Sequence, residues 1–181
     1  MNRMDNKMPF ILVVEGPDGA GKTTLIHHLT KDLGMERARR FSTSTGGPLD
    51  NIYELTVMDF NKPQQGKIYD RHPAISNAIY DMALDRPMDE RFLSVKYQHL
   101  RAQFFARARL ILCMPPTKVI RRNLKVEKQL KGVDENINEV IEGYRHISDQ
   151  IAWGNWPGWA YIYDYTKPNA YQLLKENLCQ I

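Results

Sequence analysis

The sequence predicts an α/β fold in which a parallel sheet is covered by helices on both faces. Short apolar runs with the length of buried strands alternate with longer segments that repeat apolar residues at helical spacing. The first run, Phe10 to Val14, is followed by a glycine-rich loop and then by a helix with Leu25, Ile26 and Leu29 on one stripe. This order predicts five strands in a single domain that spans residues 1–181.

The loop after the first strand has the pattern of a phosphate-binding loop. Gly16, Gly21, Lys22 and Thr23 have the Walker A spacing, which by chance occurs in roughly 4 of 100,000 windows. Backbone N–H groups of such a loop and the positive end of the following helix bind phosphate. We therefore predict a nucleoside triphosphate site with Lys22 on the terminal phosphates and Thr23 on Mg²⁺. The predicted nucleotide-binding residues are Gly16, Pro17, Asp18, Gly19, Ala20, Gly21, Lys22, Thr23 and Thr24.

Glycine and proline residues mark the elements that follow the first helix. Gly34 is predicted to end that helix, and Arg39 to Ser42 is predicted to form a short second strand. Apolar residues at helical spacing predict a helix from Asp50 to Phe60, which Pro63 terminates. The third strand is predicted at Lys67 to Tyr69.

The middle of the chain continues the alternation of helices and strands. Helices are predicted at Ala74 to Met82 and at Asp89 to Ala106, because Pro87 and its polar neighbours separate two periodic segments. Arg109 to Met114 is an apolar run closed by two prolines, which predicts the fourth strand. Thr117 is predicted to cap the next helix.

The last third of the chain predicts two helices around one strand. Asp134 is predicted to cap a helix that carries apolar side chains at helical spacing as far as Ile151. A strand at Ala160 to Tyr163 and a helix at Ala170 to Leu178 follow. Three tryptophans in the turn before the strand are predicted to be packing residues: Trp153, Trp156 and Trp159.

Four charged residues, three after predicted strands and one inside the glycine-rich loop, are candidates for chemistry. Asp70 and Arg71 follow the third strand, at the sheet edge where open α/β sheets bind ligands. Arg71 is predicted to act on the phosphates, and Asp70 either assists Mg²⁺, positions the acceptor or pairs with Arg71. Glu15 is a candidate general base if the acceptor is a hydroxyl. Asp18 is predicted to accept a hydrogen bond from the acceptor.

Positive charge is concentrated in one stretch of the chain. Between Arg101 and Lys131 there are nine basic residues against Glu127 alone, although the whole chain has a formal charge of +4. Such a stretch is typical of a phosphate-handling surface, and the alternative is a solvated helix face. Arg121 and Arg122 are candidate catalytic residues in a basic lid over residues 121–132 that would exclude water.

The composition predicts a cytoplasmic protein of the reducing compartment. The two cysteines, Cys113 and Cys179, do not form a disulfide framework, and no apolar stretch has the length of a membrane span. The sequence leaves the oligomeric state open, with a homodimer as one option. Four histidines lack metal-ligand spacing and are predicted to be surface or packing residues: His27, His28, His99 and His146.

Two motifs resemble those of the thymidylate kinase group of nucleoside monophosphate kinases. The loop from Glu15 to Thr24 resembles the P-loop of that group, and Asp70-Arg71 resembles its Asp-Arg-Tyr motif, with Ser76 and Tyr80 behind it. The resemblance implies a P-loop kinase fold with ATP and Mg²⁺. It further implies that Arg71 binds the acceptor phosphate, that Asp18 binds the acceptor sugar and that a lid supplies an arginine.

The sequence also departs from that group. His72 replaces the usual tyrosine, and Asp70-Arg71-His72-Pro73 is more similar to divergent bacteriophage kinases, some of which phosphorylate 5-hydroxymethyluracil in DNA. Two acceptors therefore remain: a deoxynucleoside monophosphate, preferably of a pyrimidine, and a modified base in DNA. A P-loop ATPase or switch protein is the third alternative. Against it, the strand that ends at Met114 lacks the acidic residue of a Walker B site.

Overall fold

A five-stranded parallel sheet forms the centre of the molecule. The computed structural model describes residues 11–38, 58, 66–87, 90–125 and 135–179, and the following elements lie in these ranges. The strands are β1 (Ile11–Glu15), β2 (Glu36–Arg37), β3 (Lys67–Asp70), β4 (Ala108–Cys113) and β5 (Ala160–Tyr163). Their order in the sheet is β2-β3-β1-β4-β5, and all neighbours are parallel. The predicted α/β fold with five parallel strands is therefore confirmed.

Helices cover both faces of this sheet, because successive side chains of the buried strands point to opposite sides. The helices are α1 (Lys22–Leu33), α2 (Pro73–Ala83), α3 (Val95–Arg107), α4 (Thr117–Leu124), α5 (Ile137–Ala152) and α6 (Ala170–Cys179). Leu12 and Val14 of β1 pack in one core with α1 and α6. Val13 packs in the opposite core with α2, α3 and α5. The carboxyl end of β1 thus lies between two packed layers, which gives the loop after it a rigid base.

The structure adds one short strand that was not predicted, and two helix starts differ from the prediction. A short strand, β2, lies at Glu36–Arg37, directly after α1. The helix predicted from Asp89 is divided into a 3₁₀ turn and α3, because the Ser94 side chain accepts a hydrogen bond from the Tyr97 N–H and starts a new helix. Thr117 is the first residue of α4 rather than its cap, since Pro116 occupies the cap position.

Several predicted segments fall partly outside the described residues. The strand at 39–42 lies outside them, and of the helix predicted at 50–60 only Met58, which is helical, lies inside. The lid region is described as far as Lys125.

The tryptophans divide between packing and exposure. Trp156 packs against the core and stacks edge-to-face on Phe105, at 5.2 Å between ring centroids. Trp159 is partly buried against the other core. The prediction is wrong for Trp153, whose side chain is 69% exposed beyond the end of α5. None of the helices in the described ranges combines the length and the apolar character that a membrane span requires.

Candidate active site

The glycine-rich loop is seated directly on the neighbouring strand. Gly16 follows β1 with a φ of 138°, and a β-carbon there would lie 2.3 Å from the carbonyl oxygen of Cys113 at the end of β4. No other residue fits this position without moving the β4 backbone. The loop therefore begins from a fixed point at the carboxyl edge of the sheet.

The other side of the loop is held by α4 and by the turn after β5. The Asn123 side chain of α4 donates a hydrogen bond to the Gly19 carbonyl at 2.8 Å. It also lies 2.8 Å from the Tyr165 hydroxyl, and the Tyr165 ring would meet a β-carbon on Gly21 at 2.9 Å. The helix that leads into the basic segment thus contacts the glycine-rich loop directly.

The start of α1 offers unpaired backbone donors and a lysine. Gly21 is the N-cap of α1 in a left-handed conformation, and among the described residues no side chain caps this end. Lys22 is 7% exposed, and its Nζ donates to the Pro17 carbonyl at 2.7 Å, inside the loop. Burial and the nearby Arg71 lower the pKa of Lys22 to about 8. This end of α1 is suited to an anion, which would supply acceptors for the amides and raise that pKa again.

Thr23, Thr24 and Ala20 complete the predicted binding loop. Both threonines are exposed at the start of α1, whereas Ala20 is buried with the core of α1 and α6. The Thr23 hydroxyl is therefore available to a ligand on the open side of the helix start, as the Walker A pattern requires.

Arg71 reaches across to the loop. It follows β3 with a φ of 66°, and its Nη2 donates to the Gly16 carbonyl at 3.1 Å and to Asp18 Oδ1 at 2.8 Å. The Tyr80 hydroxyl of α2 donates to the second Asp18 oxygen at 2.8 Å, and the Arg71 guanidinium lies 5.1 Å from the Tyr80 ring centroid. Burial opposes the charged form of Asp18, but Arg71 and Lys22 outweigh it and hold the pKa of Asp18 below its ordinary value.

Asp70 does not pair with Arg71. The ion pair between them, one of the three roles predicted for Asp70, is therefore wrong. Its Oδ2 accepts a hydrogen bond from Arg37 of β2 at 2.6 Å. The side chains of Arg71 and Asp70 leave β3 toward different neighbours, because the left-handed residue turns the chain between them. The hydrogen bond to Arg37 does not involve the Oδ1 atom of Asp70.

Glu15 is buried behind the loop rather than exposed in front of it. Its side chain has no exposed surface, Oε1 accepts from the His72 backbone N–H at 2.7 Å, and Oε2 accepts from the Tyr144 hydroxyl of α5 at 2.8 Å. Burial raises the pKa of Glu15 to about 7, although these hydrogen bonds and Arg71 partly offset it. The carboxyl group therefore contacts protein on both oxygens.

His72 is a structural residue of this region. Its Nδ1 accepts from the Ala74 N–H at 3.1 Å and so caps α2, and its ring stacks on Phe104 at 4.0 Å between centroids. The side chain is 2% exposed, and burial lowers the pKa of His72 to about 3. The histidine that distinguishes this motif from Asp-Arg-Tyr thus packs into the core instead of facing the loop.

The two candidate lid arginines lie at the end of α4. Both side chains are exposed, and Arg121 donates a hydrogen bond to Asn138 Oδ1 at 2.7 Å, which links α4 to the first turn of α5. In the described residues the structure does not bring Arg121 or Arg122 onto the loop. Residues 126–134, which contain most of the remaining basic segment, lie outside the described ranges.

Three further residues contact the candidate site and were not singled out as functional in the sequence: Asn123, Tyr144 and Tyr165. Tyr144 lies on the apolar stripe of α5, where nothing in the pattern marks its hydroxyl as a partner of Glu15. The four histidines named above are exposed, and the described residues contain no group of three or more potential metal ligands. Burial raises the pKa of the Cys113 thiol to about 12, which leaves it unreactive.

Comparison with solved structures finds proteins with the same fold. The YorR protein from Bacillus subtilis, solved in complex with phosphorylated GDP, has a TM-score of 0.62 and 21% identity, and the match covers 93% of each chain. The chain has the fold of P-loop nucleotide kinases. Thymidylate kinase from Candida albicans has a TM-score of 0.61 and 16% identity, over 96% of this chain and 94% of that one.

A third solved structure has a similar fold. Deoxyadenosine kinase from M. mycoides with bound dATP has a TM-score of 0.58 and 14% identity, over 93% of this chain and 98% of that one. No protein-family model matches the sequence, and neither does any curated protein. At these identities the likeness establishes the fold, and the activity has to be argued from the residues of the site.

Proposed function

We propose that this protein is an ATP-dependent phosphotransferase that acts on a deoxypyrimidine nucleoside monophosphate. The observation that carries the proposal is the convergence of Arg71, Asp18 and Tyr80 on the phosphate-binding loop. A loop of this kind binds the donor, and an arginine beside it neutralises charge on a second phosphate or on the transferring group. A kinase needs both features at one sheet edge.

The donor side fits a nucleoside triphosphate with Mg²⁺. The uncapped start of α1 and the Lys22 ammonium would hold the phosphates, and Thr23 would hold the metal with help from Asp70. When bound, Mg²⁺ neutralises charge on the donor phosphates. Asp70 would assist while its Oδ2 keeps the hydrogen bond to Arg37.

The acceptor side is served by Arg71 and Asp18. The Arg71 side chain is 26% exposed beside Asp18, so an acceptor phosphate could approach its guanidinium. Asp18 would hold a sugar hydroxyl, while Tyr80 keeps its carboxylate oriented. Arg121, Arg122 and the segment that follows would supply further positive charge and exclude water.

Transfer from labelled ATP to a panel of acceptors tests the proposal. The panel contains deoxynucleoside monophosphates, deoxynucleosides and DNA with hydroxymethyluracil. We expect label on a deoxypyrimidine monophosphate. Label in the modified DNA and on no free nucleotide would establish the DNA acceptor instead, and release of phosphate without any labelled acceptor would establish an ATPase.

The variant Arg71→Ala tests the role of the arginine. Loss of its charge should lower turnover by about 10²-fold, whereas the affinity for ATP should change by less than about threefold. Arg91→Ala, which removes an exposed arginine of the 3₁₀ turn before α3 and outside the basic stretch, is the matched control and should keep the parent's turnover. Weakened ATP binding with unchanged turnover would show that Arg71 contacts the donor nucleotide rather than the acceptor.

A further inference from the structure

The backbone of Arg71 is in a conformation that a residue with a side chain rarely adopts. Its φ of 66° lies in the left-handed region, and it is one of three such non-glycine residues among those described. A conformation of this kind persists where neighbouring groups impose it. The identity of those groups shows which residues fix the direction of the arginine.

Both peptide groups that flank Arg71 are held by the end of β1. The Arg71 N–H donates to the Val14 carbonyl at 3.0 Å. The next N–H along the chain, that of His72, donates to Glu15 Oε1 at 2.7 Å. Since one bond precedes the Arg71 α-carbon and the other follows it, together they restrain φ and ψ of this residue.

The Glu15 side chain is itself fixed from a third element. Tyr144 of α5 donates to Glu15 Oε2 at 2.8 Å, and both side chains are fully buried. The chain of contacts therefore runs from α5 through the carboxyl group to the backbone beside Arg71. At its far end the guanidinium reaches Gly16 and Asp18.

We propose that Glu15 is a positioning residue, which holds Arg71 in its left-handed conformation and so aims the guanidinium at the phosphate-binding loop. This inference rests on the proposed function, in which Arg71 acts on the acceptor or the transferring phosphoryl group. It replaces the general-base role considered from the sequence. A base has to contact the proton that it removes. Both oxygens of Glu15 accept hydrogen bonds from protein groups, and this residue has no exposed surface.

Replacement of Glu15 by glutamine separates the two roles. A glutamine carbonyl accepts from the His72 N–H as a carboxylate does, and its amide can donate to the Tyr144 hydroxyl oxygen. Positioning therefore survives in Glu15→Gln, and we expect kcat within about threefold of the parent. Loss of a general base would instead cost about 10² to 10⁴ in kcat.

Replacement by methionine removes both acceptors while filling nearly the same volume. In Glu15→Met we expect kcat to fall at least about tenfold, with the ATP dissociation constant within about threefold of the parent. A residue that served stability alone would reduce ATP binding and turnover together, in proportion to the folded fraction. If Glu15→Met does not fold, Glu15→Asp is measured by the same criteria, because its shorter side chain cannot reach both His72 and Tyr144.

The pH dependence of kcat gives a second readout. Lys22, Arg71, Tyr80, Cys113 and Tyr144 face Glu15 from the elements packed around it. A base with a pKa of about 7 would make kcat fall below neutral pH, and glutamine would abolish that limb. A protonated carboxyl still accepts from the His72 N–H through one oxygen, so we expect parent and Glu15→Gln to share one profile.

The experiment measures kcat, ATP affinity by calorimetry and thermal unfolding for the parent and these variants, with the parent's best acceptor. Transfer by the parent is the test of the proposed function. A parent that transfers phosphate to no acceptor would refute both the proposed function and the positioning role of Glu15. With an active parent, an inactive Glu15→Gln variant would show that Glu15 acts as a general base. A fully active Glu15→Met, or a fully active Glu15→Asp where methionine is not tolerated, would show that Arg71 needs no such support.

Discussion

Replacing His72 with asparagine should change the way in which stability depends on pH. The buried imidazole stays neutral in the folded protein because its pKa falls from the ordinary 6.5 to about 3. Below pH 6.5 the unfolded chain takes up a proton that the folded chain does not. The stability contributed by a neutral His72 is therefore present above pH 6.5 and lost as the pH falls toward 3.

The size of this effect follows from the two pKa values. Each pH unit over which only the unfolded chain holds the proton costs about 1.4 kcal/mol of unfolding free energy. Between pH 7 and pH 5 the loss from His72 is about 2 kcal/mol. Glu15 acts with the opposite sign, since its folded pKa of about 7 lies above the ordinary 4.5, and over the same change it adds about 2 kcal/mol.

The contributions of His72 and Glu15 to the pH dependence of stability nearly cancel in the parent. The variant is therefore needed to measure either contribution. Asparagine keeps an acceptor for the Ala74 N–H and removes the titration, and the lost ring stack on Phe104 costs the same at every pH. Relative to the parent, His72→Asn should thus gain about 2 kcal/mol of stability when the pH is lowered from 7 to 5.

Urea unfolding followed by tryptophan fluorescence at pH 5, 6 and 7 measures this difference. His146→Asn, which removes an exposed imidazole of α5, is measured beside it as the matched control for loss of a histidine. A difference between parent and His72→Asn that stays constant within about 0.5 kcal/mol would refute the reasoning, because it would mean that His72 binds its proton equally in both states.

Three further variants test the loop and its surroundings. Lys22→Ala should abolish transfer and leave thermal unfolding near that of the parent, because a buried ammonium contributes little to stability; near-normal turnover would contradict the loop assignment. Gly16→Ala should prevent folding or lower the unfolding temperature strongly, since its β-carbon would meet the Cys113 carbonyl, and a parent-like melting curve would contradict that contact. Joint replacement of Arg121 and Arg122 by alanine should lower the transfer rate and raise the rate of ATP hydrolysis. If neither rate changes, the two arginines belong to a solvated helix face and not to a lid.

The sheet and the loop could be predicted because their signals are local. The run that becomes β1 and the glycine spacing after it lie within a few residues of each other, and the strand at Ala160–Tyr163 was predicted with its observed bounds. β2 was not predicted because Glu36–Arg37 is two exposed charged residues, which have no strand pattern of their own and pair with β3 through the backbone.

The partners of the charged residues could not be predicted because they depend on tertiary geometry. Asp70 and Arg71 are adjacent in sequence, yet one pairs with Arg37 and the other with Asp18. The left-handed turn that separates them is imposed by hydrogen bonds to β1, and the residues themselves do not favour it. The burial of Glu15 likewise results from α5, which follows it by more than a hundred residues.

The contacts around the loop also determine when the loop can form. The hydrogen bond between Asn123 and Gly19 joins residues 104 positions apart, and the bond between Tyr144 and Glu15 joins residues 129 positions apart. During synthesis, β1 and α1 leave the ribosome long before α4 and α5, so the glycine-rich segment has to wait for the second half of the chain. A nascent chain of this protein should therefore acquire the proposed nucleotide affinity late, as a consequence of completed folding.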